Sequence, residues 1–258
     1  MKTMKIVKTI LTVVLVTVFA FSAFQIAKIY TENAKSDELN DKLIDSAVVI
    51  DKAPEKEEIS DIDVSTQKNG APIHVDFDVL KSQNKDIIAW VYCPDTVINY
   101  PIVKGSDNDY YLDHLIDGSY NPTGTLFADF NHAADFSDLN TMIYGHNMKN
   151  GTMLASILKY QNQDYYKEHP IWFLMTPDKN YKIELFSAFL TADDADVYYI
   201  NNDQSKRDAE LKKALTHSTF TTDVTVTDSD KLIAFSTCSY EYDNARFILM
   251  GALREIVE

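Results

Sequence analysis

The sequence predicts a mainly β protein: a closed eight-stranded β-barrel with added helices, preceded by an N-terminal transmembrane helix. Short apolar runs separated by turn residues recur from about residue 87 to the end of the 258-residue chain, a pattern typical of all-β folds. Segments with a helical period are few there. Near the N-terminus, 19 consecutive residues carry no charge, close to the roughly 20 apolar residues that span a bilayer.

The uncharged run is Thr9–Ala27, and no acidic residue comes before Glu32. Three lysines precede the run: Lys2, Lys5 and Lys8. By the positive-inside rule, the N-terminus stays in the cytoplasm and the chain after Lys28 lies outside the cell membrane. A cleaved signal peptide is the alternative, with Ala20–Ser22 as a small-x-small cleavage site. Both interpretations export the main domain.

The chain is predicted to have four parts. They are a short cytoplasmic N-terminus (residues 1–8), a transmembrane anchor (9–28), an acidic extracellular linker with a partial helical stripe (29–73), and the barrel domain (74–258). The linker is assigned because residues 50–72 are acidic, bear lysines and contain few apolar side chains, as flexible spacers do. A solvated loop of the domain itself is the alternative for that stretch.

The charge of the chain argues against nucleic acid as a partner. The formal net charge is −15. Residues 1–28 contain four lysines and no acid, so the exported part carries 20 basic and 39 acidic residues, a charge of −19. Nucleic-acid recognition needs a basic surface instead. Two cysteines cannot form a disulfide framework, although one Cys93–Cys238 bridge is arithmetically possible, and no Cys/His cluster indicates zinc.

The barrel is predicted from nine strand-like runs, of which about eight are expected to form it. They are Ile87–Cys93, Val97–Val103, Thr125–Ala128, Thr141–Tyr144, Ile171–Met175, Lys182–Phe189, Val224–Thr227, Lys231–Thr237 and Phe247–Leu253. Three helical segments are expected between them or before them: Asp76–Asp86, Met153–Tyr160 and about Gln204–Leu215.

Two side chains with suitable chemistry follow the ends of apolar strands. Cys238 ends a predicted strand where a loop begins, which presents its side chain at a rim of the barrel. A cysteine nucleophile reacts as the thiolate and needs a positive or proton-accepting neighbour. His146 follows the strand ending at Tyr144 through one glycine. If these strands are neighbours with the same orientation, the two side chains meet at one rim, but the sequence leaves that adjacency open.

Arg246 opens the strand that follows the Cys238 loop. A strand–loop–strand hairpin brings its two ends together, so the guanidinium can point at whatever binds Cys238. It stays protonated and cannot act as a base, but it can donate hydrogen bonds to a developing oxyanion. A surface ion pair with Asp243 or Glu241 is the alternative.

Other polar residues are expected to have no role in chemistry. Cys93, which Pro94 follows, is expected to be a small packed hydrophobe. The acidic stretches Asp129–Asp138 and Asp193–Asp196 are expected to be solvated loops rather than calcium sites. Five histidines are expected at the surface: His74, His114, His132, His169 and His217.

Several segments together carry a resemblance to a known family. They are the "STC" of Ser236–Cys238 followed by Arg246, "YGHNMKNGTM" of Tyr144–Met153, Ile98–His114, Thr123–Phe130 and the helix at about 204–215. Over about residues 74–258 they resemble the class B sortases, membrane-anchored cysteine transpeptidases of Gram-positive bacteria. The cysteine signature alone is a weak match, whereas the set of segments is specific.

The resemblance implies a sortase-type eight-stranded barrel and an enzyme that needs no metal or organic cofactor. Cys238 would attack the carbonyl of a Thr-Gly or Thr-Asn bond in a C-terminal sorting signal, and an amine of a peptidoglycan precursor would resolve the thioacyl enzyme. His146 would protonate the leaving amine and deprotonate the incoming one, and Arg246 would stabilise the oxyanion. The implied partners are surface proteins carrying a sorting signal, the wall-precursor amine and the membrane.

Six residues match positions that line the class B substrate groove: Asn108, Leu112, Tyr144, Tyr199, Ile200 and Ser236. Simple barrel packing or surface exposure is the alternative for each. Three other functions stay open at this point. They are a pilin polymerase with a lysine acceptor, a hydrolase in which water resolves the thioacyl enzyme, and a non-enzymatic membrane-tethered β-barrel that serves as a binding module.

Overall fold

The computed structural model describes residues 2–51, 70–200 and 202–257. They fall into two compact units, Met1–Asp41 and Lys42–Glu258. Most of the predicted flexible spacer, residues 52–69, lies outside the described residues.

The first unit consists of helix. α1 (Lys2–Ala47) runs through the predicted anchor and includes the helical stripe predicted after residue 30. Its large apolar side chains from Met4 to Tyr30 are more than half exposed, and an 18-residue window has a mean hydropathy of 2.3. The helix is therefore long and apolar enough to cross a membrane, as predicted.

The second unit begins before residue 74, the predicted boundary. Leu43 and Ala47, at the end of α1, are buried. β1 (Val48–Ile50) pairs antiparallel with β2 (Ile73–Val75). The two ends of the acidic stretch 50–72, which was predicted to be a flexible spacer, are thus held together by this strand pair.

The second unit is built on a closed barrel of eight strands. In chain order they are β3 (Ile87–Tyr92), β4 (Asn99–Val103), β5 (Leu126–Ala128), β6 (Asn140–Tyr144), β7 (Ile171–Met175), β8 (Asn180–Ala192), β9 (Lys231–Cys238) and β10 (Ala245–Ile256). Around the barrel the order is β10-β8-β7-β3-β4-β5-β6-β9. The pairs β4–β5 and β6–β9 are parallel, and the other pairs are antiparallel. The predicted fold class is confirmed.

The second unit also contains α-helices. They are α2 (Phe77–Gln83), α3 (Gln163–Glu168) and α4 (Gln204–His217). Among residues 70–200, three segments form 3₁₀-helix: Tyr110–Leu112, Leu154–Gln161 and Asp196–Tyr199. The helix predicted at 153–160 is therefore present in the tighter 3₁₀ form.

The prediction of a strand at Val224–Thr227 was wrong. This segment has no regular secondary structure and pairs with no strand among the described residues. The closed barrel leaves no free edge for a ninth strand. The fully buried Arg207 of α4 binds the segment instead, donating to the carbonyl oxygens of Thr227 at 2.7 Å and Asp230 at 3.0 Å.

β9 is buried on both faces, which explains its uninterrupted apolar run. Ile233 and Phe235 pack into the barrel interior. Leu232 and Ala234 pack in a second apolar cluster that also contains Ala214 of α4. Burial on both sides is typical of strands covered by helix, and it leaves the C-terminal end of β9 as the part open to a ligand.

Candidate active site

The parallel pairing of β6 with β9 brings the ends of both strands to the same rim. Tyr144 lies opposite Ser236 in the register. Beyond that pair, the Gly145 N–H donates to the Ser236 carbonyl at 3.2 Å, and the Thr237 hydroxyl donates to the Gly145 carbonyl at 2.7 Å. The adjacency that the sequence left open is therefore present, and His146 and Cys238 lie at one end of the barrel.

Arg246 is the register partner of Cys238 in the antiparallel β9–β10 hairpin. Asn244 closes the hairpin at φ 61°, a conformation that asparagine tolerates better than most residues. The Arg246 Nη2 atom lies 3.6 Å from Asp193 Oδ2. Neither Asp243 nor Glu241 forms an ion pair with Arg246 in the described part of the chain, so the surface pair considered above is replaced by one inside the site.

These residues share one cleft of about 450 Å³. Eight of the nine predicted site residues line it: Asn108, Leu112, Tyr144, His146, Tyr199, Ser236, Cys238 and Arg246. Ile200 does not. Its side chain is 1% exposed and packs with Val197 and Ala214 outside the barrel, so it can reach a ligand in the cleft only through its neighbours.

His146 is held by the loop that carries Leu112. Its Nε2 atom lies 2.7 Å from the Leu112 carbonyl oxygen, and a carbonyl only accepts, so Nε2 carries the hydrogen. Gly145 has no room for a side chain, because a Cβ would lie 2.3 Å from Leu126 Cδ2 and 2.8 Å from Leu154 Cγ. Gly124, at φ +62°, likewise leaves room for the Leu112 carbonyl, which would lie 2.5 Å from a Cβ there. Two glycines thus let the backbone approach closely enough to place the imidazole.

Asp129 is a site residue that the sequence analysis missed. The expectation of a solvated loop was wrong, since Asp129, His132 and Asp138 are 7%, 4% and 7% exposed. Burial acts to raise the pKa of Asp129, but hydrogen bonds from Asn131, Tyr144 and Asn108 outweigh it and lower that pKa below its usual value. The strand-end rule that found His146 and Cys238 could not have found Asp129, because β5 runs antiparallel to β6 and Asp129 lies beside Met142, before the end of β6.

Tyr198 is a second residue that the sequence analysis missed. Its hydroxyl lies 2.9 Å from the Ser236 hydroxyl, and its ring stacks on that of Tyr144 with centroids 6.2 Å apart. Burial raises the pKa of Tyr198 to about 12, against the opposing effects of the Ser236 hydrogen bond and the Arg246 charge. Tyr198 lines the cleft, and its hydroxyl is neutral there.

The two thiols lie in different surroundings. Both are free, Cys238 half-buried in the cleft and Cys93 buried in the barrel core. Burial raises the pKa of the Cys93 thiol to about 11, so Cys93 is a packed thiol, as expected. Across residues 2–51, 70–200 and 202–257, no group of three or more His, Cys, Asp or Glu side chains is placed to hold a metal ion.

A closed β-barrel that presents a free thiol, an imidazole and a guanidinium in one cleft defines a cysteine-dependent acyl-transfer enzyme. No protein-family model matches the chain. The chain is 34% identical to sortase B of Listeria monocytogenes over 248 residues, covering 94% of this chain and 95% of that protein. It is 27% identical to sortase B of Staphylococcus aureus over 193 residues, covering 73% of this chain and 79% of that protein.

Solved structures agree. Sortase B from B. anthracis superposes with a TM-score of 0.69 at 28% identity, covering 88% of this chain and 99% of that one. A substrate complex of S. aureus sortase B has a TM-score of 0.65 at 27% identity, with coverage of 70% and 85%. The chain belongs to the sortase B family and is a sortase-type cysteine transpeptidase.

Proposed function

We propose that this sortase cleaves a C-terminal sorting signal after threonine through a thioacyl enzyme on Cys238. It then joins the cleaved protein to an amine of a peptidoglycan precursor. The observation that carries the proposal is the parallel β6–β9 pairing, which puts His146 and Cys238 at one rim, with Arg246 opposite Cys238 in the register. A solved complex of S. aureus sortase B with substrate, and one of sortase B with triglycine, support a peptide donor and a peptide-like acceptor.

The reaction has two acyl transfers. The Cys238 thiolate attacks the threonine carbonyl carbon, and the tetrahedral oxyanion collapses to a thioester as the peptide C–N bond breaks. The leaving amine takes its proton from protonated His146. The incoming amine then gives a proton back to His146, attacks the thioester carbonyl and forms the new amide, which releases the Cys238 thiolate.

Arg246 stabilises the oxyanion by hydrogen bonding from its guanidinium. In the resting protein its Nη1 donates to the Ala245 carbonyl at 3.1 Å, and Nη2 lies near Asp193. With only partial burial, this Asp193 pair is weak. A developing oxyanion beside Cys238 can therefore compete for the guanidinium without a large energetic penalty.

The test is cleavage of short peptides by the full chain in detergent, read by mass spectrometry. The panel holds Asn-Pro-x-Thr-Asn and Ser/Asn-Pro-x-Thr-Gly peptides, with a glycine-like or diaminopimelate-like amine added. We expect cleavage after threonine, an amine-joined product, and no product from Cys238→Ala. A folded Cys238→Ala protein that still cleaves would refute the proposal.

A lysine side chain of a pilin is the second candidate acceptor, and water is the third. Competition among a wall-precursor amine, a lysine-bearing domain and water in one reaction separates transpeptidase, polymerase and hydrolase. The binding-module alternative is set aside, because the family to which the chain belongs is one of enzymes.

We also propose that α1 anchors the enzyme in the cell membrane, with the N-terminus in the cytoplasm and the barrel outside. The exposed apolar surface of α1 supports the anchor. The three lysines before the uncharged run support the orientation.

A further inference from the structure

The Asp129 carboxylate accepts hydrogen bonds from three residues. Its Oδ2 atom receives the Tyr144 hydroxyl at 2.9 Å and the Asn108 Nδ2 at 3.0 Å. Its Oδ1 atom receives the Asn131 backbone N–H at 2.9 Å and the Asn131 Nδ2 at 3.1 Å. With four donors on its two oxygens, a 7% exposed carboxylate has little capacity left for a ligand. Its influence therefore passes through Tyr144 and Asn108, which line the cleft with it.

The carboxylate fixes the polarity of both neighbours. Burial and the Asp129 charge raise the pKa of Tyr144, so its hydroxyl keeps its hydrogen and donates it to Asp129. Toward any other group the Tyr144 oxygen can then only accept. The Asn108 amide is fixed from both sides, because its Oδ1 accepts the Phe130 N–H at 3.0 Å while its Nδ2 donates to Asp129. Its second Nδ2 hydrogen can only donate.

An acceptor and a donor held on the same carboxylate oxygen are complementary to two kinds of group. A primary carboxamide presents one N–H and its C=O on the same edge, and an extended residue points its own N–H and C=O to the same side. We propose that Asp129 is a positioning residue that makes Tyr144 and Asn108 an amide-reading pair, in which the Tyr144 oxygen accepts an N–H of the sorting peptide and Asn108 donates to a carbonyl. The group recognised is therefore a carboxamide side chain of the peptide, or the N–H and C=O of one extended residue. This inference rests on the proposed function, since it assumes that the cleft binds a sorting signal.

Asp129→Asn tests the inference. The asparagine side chain has the shape of the aspartate side chain, but it replaces one accepting oxygen with an NH₂ group, which cannot accept the hydrogen bonds that Tyr144, Asn108 and Asn131 donate. We expect KM for the cleaved peptide to rise at least tenfold, with kcat within threefold of wild type. The rate of Cys238 alkylation by iodoacetamide should be unchanged, since the carboxylate does not act on the thiol. Unchanged KM would overturn the inference. So would a parallel loss of kcat, alkylation rate and thermal stability, which indicates a merely structural role.

Asp138→Asn is the matched control. Asp138 lies in the same loop with the same 7% exposure, and it accepts from the Ala133 N–H at 2.7 Å and from Asn202 at 2.7 Å, but it does not line the cleft. It should keep the wild-type KM. A KM increase equal to that of Asp129→Asn would overturn the inference, because any buried carboxylate of the loop would then suffice.

A second measurement applies if Asp129→Asn does not fold. Peptides in which single backbone N–H groups are replaced by ester oxygens, and single carboxamides by methyl esters, are assayed with wild type and with Tyr144→Phe. One replacement should raise KM for wild type and have no further effect on Tyr144→Phe. Equal sensitivity of both proteins at every position would overturn the inference. Absence of cleavage by the wild type with every peptide would instead refute the proposed function.

Discussion

Among single residues, the two cysteines show how surroundings decide reactivity. Cys93 is 1% exposed and its pKa is raised to about 11 by burial, so at pH 8 about one thiol in a thousand is ionised. Cys238 is half-buried in an open cleft. We predict that iodoacetamide at pH 8 labels Cys238 and leaves Cys93 unmodified, as read by peptide mass mapping. The Cys238→Ala protein should take up label only after unfolding, and labelling of Cys93 in the folded protein would contradict its burial.

Arg246 is the residue at which geometry matters more than charge. Lysine keeps the charge but lacks the planar fork of donors that arginine offers. We predict that Arg246→Lys lowers kcat about 10²–10³-fold, the typical effect of removing one oxyanion donor. Steady-state peptide cleavage measures it. Arg254→Lys is the control, because Arg254 pairs with Glu184 and Asp230 and does not line the cleft. Near-normal activity of Arg246→Lys would mean that charge alone suffices.

The β6–His146 junction shows how an element places a side chain. A Cβ on Gly145 would overlap Leu126 and Leu154, so the strand end can sit against the barrel only with glycine there. We predict that Gly145→Ala destabilises the protein by about 1–3 kcal/mol through overpacking and lowers activity by displacing His146. Urea unfolding and peptide cleavage measure the two effects. Gly70→Ala is the control, since a Cβ there meets nothing within 4 Å.

α4 binds the segment before β9 through the buried guanidinium of Arg207. Arg207 donates to the Thr227 and Asp230 carbonyls from a fully buried position. We predict that Arg207→Met destabilises the protein by about 2–4 kcal/mol, because the Thr227 and Asp230 carbonyls lose charge-assisted hydrogen bonds from a buried guanidinium. It should also speed proteolysis within residues 221–230. Lys206→Met, on the exposed side of the same turn, should change stability by less than about 0.5 kcal/mol.

At the scale of the whole molecule, the three lysines before the uncharged run of α1 predict one orientation across the membrane. The native thiol of Cys238 reports it. We predict that a charged, membrane-impermeant thiol reagent applied to intact cells labels the full chain at Cys238. Cells that produce the Cys238→Ala protein should show no labelled chain. If the wild-type chain were labelled only after lysis, the barrel would lie in the cytoplasm.

Much of this protein is encoded in short stretches of sequence. The uncharged run with its preceding lysines predicted the apolar helix, and alternating apolar runs predicted the barrel strands, because each pattern is complete within one window. Cys238, His146 and Arg246 could be named as site residues because each lies at the end of such a run. The strand prediction for residues 224–227 was wrong because it, too, used one window. The composition of that window is typical of a strand, but the closed barrel offers it no strand to pair with.

The tertiary structure alone decided which strand ends meet and which polar groups are buried. Thr237 and Gly145, whose hydrogen bond joins β9 to β6, are 92 residues apart, and their neighbourhood follows from the order of strands around the closed barrel. The same closure buries Asp129 and turns a loop aspartate into an anchor for Tyr144 and Asn108. No local pattern carries such information, because burial and register depend on distant segments packing together.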